Sequence, residues 1–301
     1  MKKYIFLIFI PLIIGIILLA VGAAIFVYGY TKNRENNFVT NTFNFDDGTV
    51  SGFDIDVSTE DLVFEVSKDG DLKVDCVEDA RVPHTVTLSN GTLTIRKNDE
   101  RKWYEKILFF AFIESKVTVY LPAGDYGELK IKSSTGNITL PGGLSFESAY
   151  IDLSTGNLSM KSSARSSVTV ESSTGRIELL SLKAGNIKLT ASTGNITLND
   201  VEASGDITAK ASTGRVTVKK TVAGGVLNVH TSTGNVILES MDAKSLKIET
   251  STGSVKGTIL TSKIFSCSTS TGKVNVPTST EGGLCEVKTS TGSISLSIAA
   301  E

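Results

Sequence analysis

The tripeptide Ser-Thr-Gly occurs nine times between residues 134 and 292 of this 301-residue chain, at an almost constant spacing. Successive glycines are separated by 20, 19, 19, 20, 20, 19, 19 and 20 residues. Self-similarity at a fixed period of this length is typical of a solenoid, in which each repeat forms one coil and stacks on its neighbours. The nine glycines are Gly136, Gly156, Gly175, Gly194, Gly214, Gly234, Gly253, Gly272 and Gly292.

Apolar and polar residues alternate on both sides of each glycine. Leu129 and Ile131 precede the first glycine by seven and five residues, and Ile138 and Leu140 follow it by two and four. Period-two alternation predicts β-strands, and its change of phase at the glycine predicts a structural corner. We therefore predict an all-β fold, a parallel β-solenoid with rungs of 19–20 residues. Since parallel crossovers are overwhelmingly right-handed, we expect a right-handed β-helix.

The cysteines fit this interior. Cys267 and Cys285 lie on interior columns that differ by two residues, which favours two small core residues over a disulfide. Together with Cys76 they match no metal-ligand spacing. We predict no metal site and no cofactor.

The chain begins with an apolar segment. From Tyr4 to Tyr30 there are 27 consecutive uncharged residues, and a helix needs roughly 20 to cross a bilayer. We predict that residues 1–30 form a transmembrane helix, with residues 4–30 in the membrane, rather than a cleaved signal peptide. The remainder has no basic cluster typical of a cytoplasmic binder of nucleic acid or inner-leaflet lipid. We therefore expect a single-pass protein of the cell membrane with an extracytoplasmic repeat domain.

Weaker alternation precedes the repeats. The segment from Ile55 to Leu62 resembles a rung that has lost its glycine. Because solenoids need atypical end units, residues 41–128 are predicted to form an N-terminal β cap with degenerate rungs. A polar linker is predicted at residues 31–40, and the repeats cover residues 129–301.

One cap segment breaks the pattern, because residues 102–113 hold the only tryptophan and a dense aromatic run. We favour a plug for the open end of the β-helix. A contact with the membrane interface or with a partner is the other hypothesis. Its residues would be Trp103, Tyr104, Phe109, Phe110 and Phe112.

Stacked polar residues are the candidates for binding. With a formal net charge of -2, nothing predicts nucleic-acid binding. Asp152 and Glu171 would be neighbours on adjacent rungs, near enough for acid–base chemistry or calcium binding. Lys132 and Arg165 are available to compensate them, which favours a solvated mixed face. A column of polar residues after the glycines could bind a glycan, although any soluble β-helix shows such a column. The surface-binding candidates are Asn137, Asn157, Asn195, Asn235, Asp152 and Glu171.

The run from Val119 to Ile138, including Leu121-Pro122-Ala123-Gly124 and Ser134-Thr135-Gly136, resembles the entry to the repeats of the bacterial DUF4097 family. That family is described as candidate adhesins and includes LiaG-like proteins associated with envelope stress. The resemblance covers about residues 41 to 298. It implies a β-helix, often behind a membrane segment, and it transfers no catalytic residue.

Three functions remain open. The first is a non-enzymatic, membrane-anchored extracytoplasmic β-solenoid, an adhesin or envelope interaction protein that binds glycan or protein. The second is a scaffold that self-assembles through an open C-terminal rung, because the chain stops nine residues after Gly292. The third is a polysaccharide-active enzyme, which would use Asp152 and Glu171. We favour the first, because nine near-identical Ser-Thr-Gly sites cannot all be catalytic.

Overall fold

A computed structural model describes residues 15–24, 27–28, 38–45, 49–97 and 115–299. Residues 15–24 and 27–28 are helical. No helix within these described ranges is long and apolar enough to cross a membrane. The aromatic run from Trp103 to Phe112, and most of the predicted anchor and linker, lie outside the described residues.

All described strands belong to one sheet of 23 strands. Those before the repeats are β1 (Phe38–Phe45), β2 (Gly52–Val57), β3 (Asp61–Val66), β4 (Leu72–Asp79), β5 (His84–Ser89), β6 (Thr92–Lys97) and β7 (Lys116–Leu121). Those of the repeats are β8 (Gly124–Thr135), β9 (Ile138–Leu140), β10 (Leu144–Thr155), β11 (Leu158–Met160), β12 (Ser163–Thr174), β13 (Ile177–Thr193), β14 (Ile196–Ala203), β15 (Ile207–Thr213), β16 (Val216–Lys219), β17 (Val222–Thr233), β18 (Val236–Thr252), β19 (Val255–Ile259), β20 (Lys263–Thr271), β21 (Val274–Asn275), β22 (Gly283–Thr291) and β23 (Ile294–Ile298).

Neighbouring rungs pair in parallel and in register. Ile131 of β8 pairs with Ile151 of β10, which pairs in turn with Val170 of β12. Beyond the corner, Leu158 of β11 pairs with Ile138 of β9. The parallel β-solenoid predicted from the repeat is therefore confirmed.

The alternating apolar residues fill the interior. Leu129, Ile131, Ile138 and Leu140 are each exposed by 1% or less. Burying one such side chain stabilises the fold by roughly 1.5–3 kcal/mol, so the stacked interior columns are the main stabilising element. Met241, which follows Gly234 by seven residues in β18, is equally buried.

The glycines lie at the corners and stack on one another. Gly156 has φ +134°, and a Cβ added there would lie 1.9 Å from the carbonyl oxygen of Gly136. The N–H of Gly156 donates to the carbonyl of Thr174 in the following rung, 2.9 Å away. A side chain at this position would therefore collide with the backbone of the previous rung.

The last two rungs are stacked in the reverse of their order in the sequence. β18 pairs with β22, and β22 pairs on its other side with β20. The N–H of Gly253 donates to the carbonyl of Thr291, and the N–H of Gly292 donates to the carbonyl of Thr271, each over 2.9 Å. The Gly292 rung is thus inserted between the Gly253 rung and the Gly272 rung.

This order corrects the prediction that the rung of Gly292 is the open one. The terminal rung is instead that of Gly272, formed by β20 and β21. Its interior positions are poorly covered, because Val274 is 43% exposed and Phe265 and Cys267 are only half-buried. Cys285, one rung further in, is fully buried.

The N-terminal end shows the same kind of insertion. β2 pairs in parallel with β8 on one side and with β6 on the other, and β3 lies in the same way between β9 and β7. Antiparallel pairs then complete this end, with β4 between β1 and β7, and β5 beside β6. The residue beside Gly136 is Glu60, so the first rung has a glutamate at its corner.

The thiols of Cys267 and Cys285 are free. Cys285 pairs with Phe265, and Cys267 pairs with Val287, so the two cysteines lie diagonally across adjacent strands. This arrangement agrees with the interpretation of the two cysteines as small core residues that are not joined by a disulfide.

Candidate functional site

The asparagines that follow the corner glycines have a structural role. The N–H of Asn157 donates to Oδ1 of Asn137 over 3.1 Å, and Nδ2 of Asn157 donates to the same oxygen over 3.0 Å. In turn, Oδ1 of Asn157 accepts the N–H of Arg176 over 3.0 Å. Each amide oxygen therefore satisfies a backbone donor of the next rung at the corner.

The same contact recurs at the other two asparagines of this column. Oδ1 of Asn195 accepts the N–H of Arg215 over 2.9 Å, and Oδ1 of Asn235 accepts the N–H of Ser254 over 2.8 Å. Asn137 and Asn157 are adjacent, whereas Arg176 separates them from Asn195. The four asparagines among the predicted binding residues thus share one exposed column. Their role in binding a ligand stays a prediction.

Asp152 and Glu171 are paired across β10 and β12, as the sequence predicted, and both are half-buried. Lys132 is the partner of Asp152 on the preceding rung. Glu171, burial and Asp152 together raise the pKa of the Tyr150 hydroxyl. Two acidic side chains therefore lie side by side on this face, with Lys132 next to Asp152.

Arg165 does not compensate these carboxylates, which corrects the sequence interpretation. Its guanidinium lies 2.7 Å from Asp125 and 3.9 Å from Glu147. The ladder between β10 and β12 is irregular here, since Phe146 pairs with Ala164 and Ser148 with Ser167, so Arg165 lies beside Glu147. The position of Arg165 near Glu171 in the sequence could not have predicted this irregularity in the ladder.

We call the outward surface of the strands before the corners the ladder face. Because the rungs pair in register, residues four positions before each glycine form one continuous column. A parallel column six positions before the glycines includes Lys130, Tyr150 and Lys188. Nine rungs at about 4.8 Å give this face a length of roughly 40 Å. In spatial order its first column is Lys132, Asp152, Glu171, Thr190, Lys210, His230, Glu249, Lys288 and Ser268.

A second group of polar residues is buried at the N-terminal end. Cys76, Glu78 and His84 are all buried, and their possible ligand atoms lie within 4.8 Å of one another. Nδ1 of His84 contacts Oε2 of Glu78. Among the residues that the structure describes, Nε2 of His84 has no hydrogen-bond partner. It lies 3.9 Å from Oε2 of the fully buried Glu60, which is paired with Lys97.

The protonation of this group follows from its surroundings. Burial raises the pKa of the Cys76 thiol to about 12, and the neighbouring carboxylates add to the effect. Burial opposes charge on His84, but Glu60 and Glu78 outweigh it and raise the imidazole pKa. Burial likewise opposes ionisation of Glu60, but His84 and Lys97 outweigh it and hold that pKa well below its usual range.

The sequence interpretation missed this group, although one signal was present. In β4, residues 72, 74, 76 and 78 all face inward, so the alternation places a glutamate in the core. His84 reaches it from the start of β5, after a turn. Spacing along the chain could not have predicted that approach.

This geometry defines the class of fold, which is a parallel β-solenoid with an antiparallel N-terminal end and long polar columns. The chain belongs to the Toastrack DUF4097 family, whose sequence profile matches residues 50–211 and 190–301. This confirms the resemblance seen at the entry to the repeats. None of the curated proteins compared with the chain matches it.

Three solved structures are similar to the chain over most of their length. A candidate adhesin from Bacteroides fragilis is 12% identical, with a TM-score of 0.46, and 88% of this chain and 98% of that one are covered. A candidate adhesin from Parabacteroides distasonis is also 12% identical, with a TM-score of 0.46 and coverages of 87% and 97%. A candidate lipid-binding protein from the same organism is 15% identical, with a TM-score of 0.35 and coverages of 88% and 98%.

Proposed function

We propose that this chain is a non-enzymatic, membrane-anchored extracytoplasmic solenoid that uses its ladder face to bind a cell-envelope glycan or protein. The observation that carries the proposal is the in-register stacking of polar side chains into columns roughly 40 Å long. A long face of repeated groups suits an extended, repetitive partner, because each rung offers it a similar set of hydrogen bonds and charges.

The apolar N-terminal segment supports the anchor. Residues 15–24 are helical, and Ile16, Ile17, Leu18 and Leu19 are each more than half exposed. Exposed apolar side chains on a helix need an apolar environment. In the intact protein, we propose that residues 4–30 supply a single membrane pass.

Charge reversal on the ladder face tests this function. Lys188 and Lys210 are exposed on β13 and β15 and face outward. Replacing both by glutamate should weaken binding of the full-length protein to purified cell-wall material at least fivefold. The matched control reverses Lys161 and Lys256, two exposed lysines outside the ladder face, and should bind normally. Equal binding by both double variants would contradict the proposal.

Self-assembly through the terminal rung is a second candidate function. Among the described strands, β20 has a ladder on one side only, formed with β22. Ile264 on β20 and Leu284 on β22 are paired and exposed by 43% and 49%. An open strand edge with apolar side chains beside it is a surface that another chain can extend.

Sedimentation of the full-length protein in detergent separates the two functions. Self-association through this edge predicts that Ile264→Lys raises the dissociation constant at least tenfold. Val222→Lys is the matched control, because Val222 is 44% exposed on β17, outside β20 and β22. A wild-type protein that stays monomeric at high concentration would rule out the scaffold.

A further inference from the structure

We propose that Cys76, Glu78 and His84 bind one divalent transition-metal ion, with Zn²⁺ as the best fit, inside the N-terminal end of the solenoid. Thiolate, imidazole and carboxylate are the three side-chain ligands that zinc takes in proteins. The three ligand atoms lie within 4.8 Å of one another, and all three residues are buried. Zinc–ligand bonds of about 2.0–2.3 Å could therefore join them after small side-chain movements.

His84 indicates how these movements would occur. Its side chain is fully buried, yet no described residue forms a hydrogen bond with Nε2, and Oε2 of Glu60 lies 3.9 Å away. Moving the ring toward Glu60 by about 1 Å would bring Nε2 within hydrogen-bond distance. The same movement would separate Nδ1 from Glu78 and open a position for the metal between them.

The outer contacts are those that a metal-binding histidine and glutamate require. A histidine ligand usually donates its second N–H to a carboxylate, and Glu60 is placed to accept it. Glu60 is itself fixed by the N–H groups of Ser58 and Thr59, at 2.8 and 2.9 Å, and by Lys97. These contacts leave little freedom to the carboxylate that would orient the ring.

Glu78 is fixed in a similar way. Nδ2 of Asn41, on β1, donates to Oε1 of Glu78 over 2.5 Å. The backbone N–H of His84 donates to Oε2 over 2.7 Å. One lone pair of Oε2 remains directed toward the imidazole, where the metal would lie.

Metal binding requires deprotonated ligands, so the thiol proton of Cys76 would leave for solvent as Zn²⁺ binds. The nearest cationic group among the described residues is Lys97, which pairs with Glu60 beside the proposed site. A soft thiolate and an imidazole favour zinc over magnesium or calcium, which prefer oxygen ligands. A fourth position remains for a non-protein ligand.

The full-length protein, purified in detergent and stripped with a chelator, provides the test. Adding Co²⁺ as a spectroscopic probe should give a thiolate-to-cobalt charge-transfer band that saturates at one ion per chain, and Zn²⁺ should abolish it. Absence of this band in the wild-type protein would overturn the proposal, whatever the variants do. It would identify the group as a buried ion-pair network.

Variants assign the ligands. Cys76→Ser should lose the band, and His84→Gln should weaken metal binding at least tenfold. The matched control is Cys285→Ser, which removes an equally buried thiol at the opposite end and should keep the band. Each variant is first checked for wild-type circular dichroism without metal. If either ligand variant fails this check, Asn41→Ala, which removes only an outer contact, should still weaken binding measurably. Undiminished binding in a folded Cys76→Ser variant would refute the site.

Discussion

The glycine of each Ser-Thr-Gly corner packs directly against the backbone of the preceding rung. At Gly194, where φ is +149°, an added Cβ would lie 1.7 Å from the carbonyl oxygen of Gly175. The side chain that follows the glycine then supplies the oxygen for the next rung, as Asn157 does for Arg176. The glycine therefore recurs because a side chain would not fit at the corner, and an asparagine after it, where present, satisfies a hydrogen-bond donor of the next rung.

Alanine at a corner should be strongly destabilising. Gly194→Ala forces both a steric clash with backbone and an unfavourable φ, and should lower the free energy of unfolding by about 2–5 kcal/mol. Gly142→Ala is the control, because no described residue lies within 4 Å of its added Cβ, and it should change stability by less than about 0.5 kcal/mol. Urea unfolding followed by circular dichroism measures both. Similar stabilities would show that the corners are not packed in this way.

The asparagine column should matter less, because it is exposed to water. Asn157→Ala removes the acceptor of the Arg176 N–H and should cost about 0.5–1.5 kcal/mol. Asn157→Asp keeps an oxygen at that position and should recover most of the loss. If both variants behave alike in the same urea experiment, the amide oxygen has no role in stacking the rungs.

Strand order at the two ends is where the sequence was least informative. The alternation of apolar and polar residues predicted the burial of Ile131 and Ile138, because the face on which a strand residue lies depends only on its neighbours in sequence. The order of the last rungs is not local. The Gly272 and Gly292 rungs carry the same corner motif, so either could have paired with β18. The group around Cys76 was missed for a related reason, since Glu60 reaches it from the turn between β2 and β3, and Lys97 from the end of β6.

Engineered disulfides can test the exchanged order of the rungs. Glu249 and Lys288 are register partners, so the double variant Glu249→Cys/Lys288→Cys should oxidise readily. Glu249→Cys/Ser268→Cys should not, because Lys288 lies between these two residues in the stack. Peptide mapping without reductant identifies the products. Efficient formation of the second disulfide alone would mean that the rungs stack in sequence order.

The entire solenoid combines a periodic outer face with two ends that are built differently. The repeats made the fold and the ladder face predictable, since every rung places equivalent residues at equivalent points. The repeats do not predict the identity of the partner, because a polar column such as the one from Lys132 to Ser268 is compatible with several extended ligands. The proposed function therefore depends most on whether this face lies outside the cell.

Protease accessibility on intact cells tests that claim most directly. The loop between β21 and β22 is exposed at residues 280–282, so a specific cleavage sequence inserted there should be accessible in the folded protein. With a C-terminal tag on the full-length chain, we predict that protease added to intact cells releases a short tagged fragment on a denaturing gel. Cleavage that occurs only after lysis would place the solenoid in the cytoplasm and contradict the proposed function.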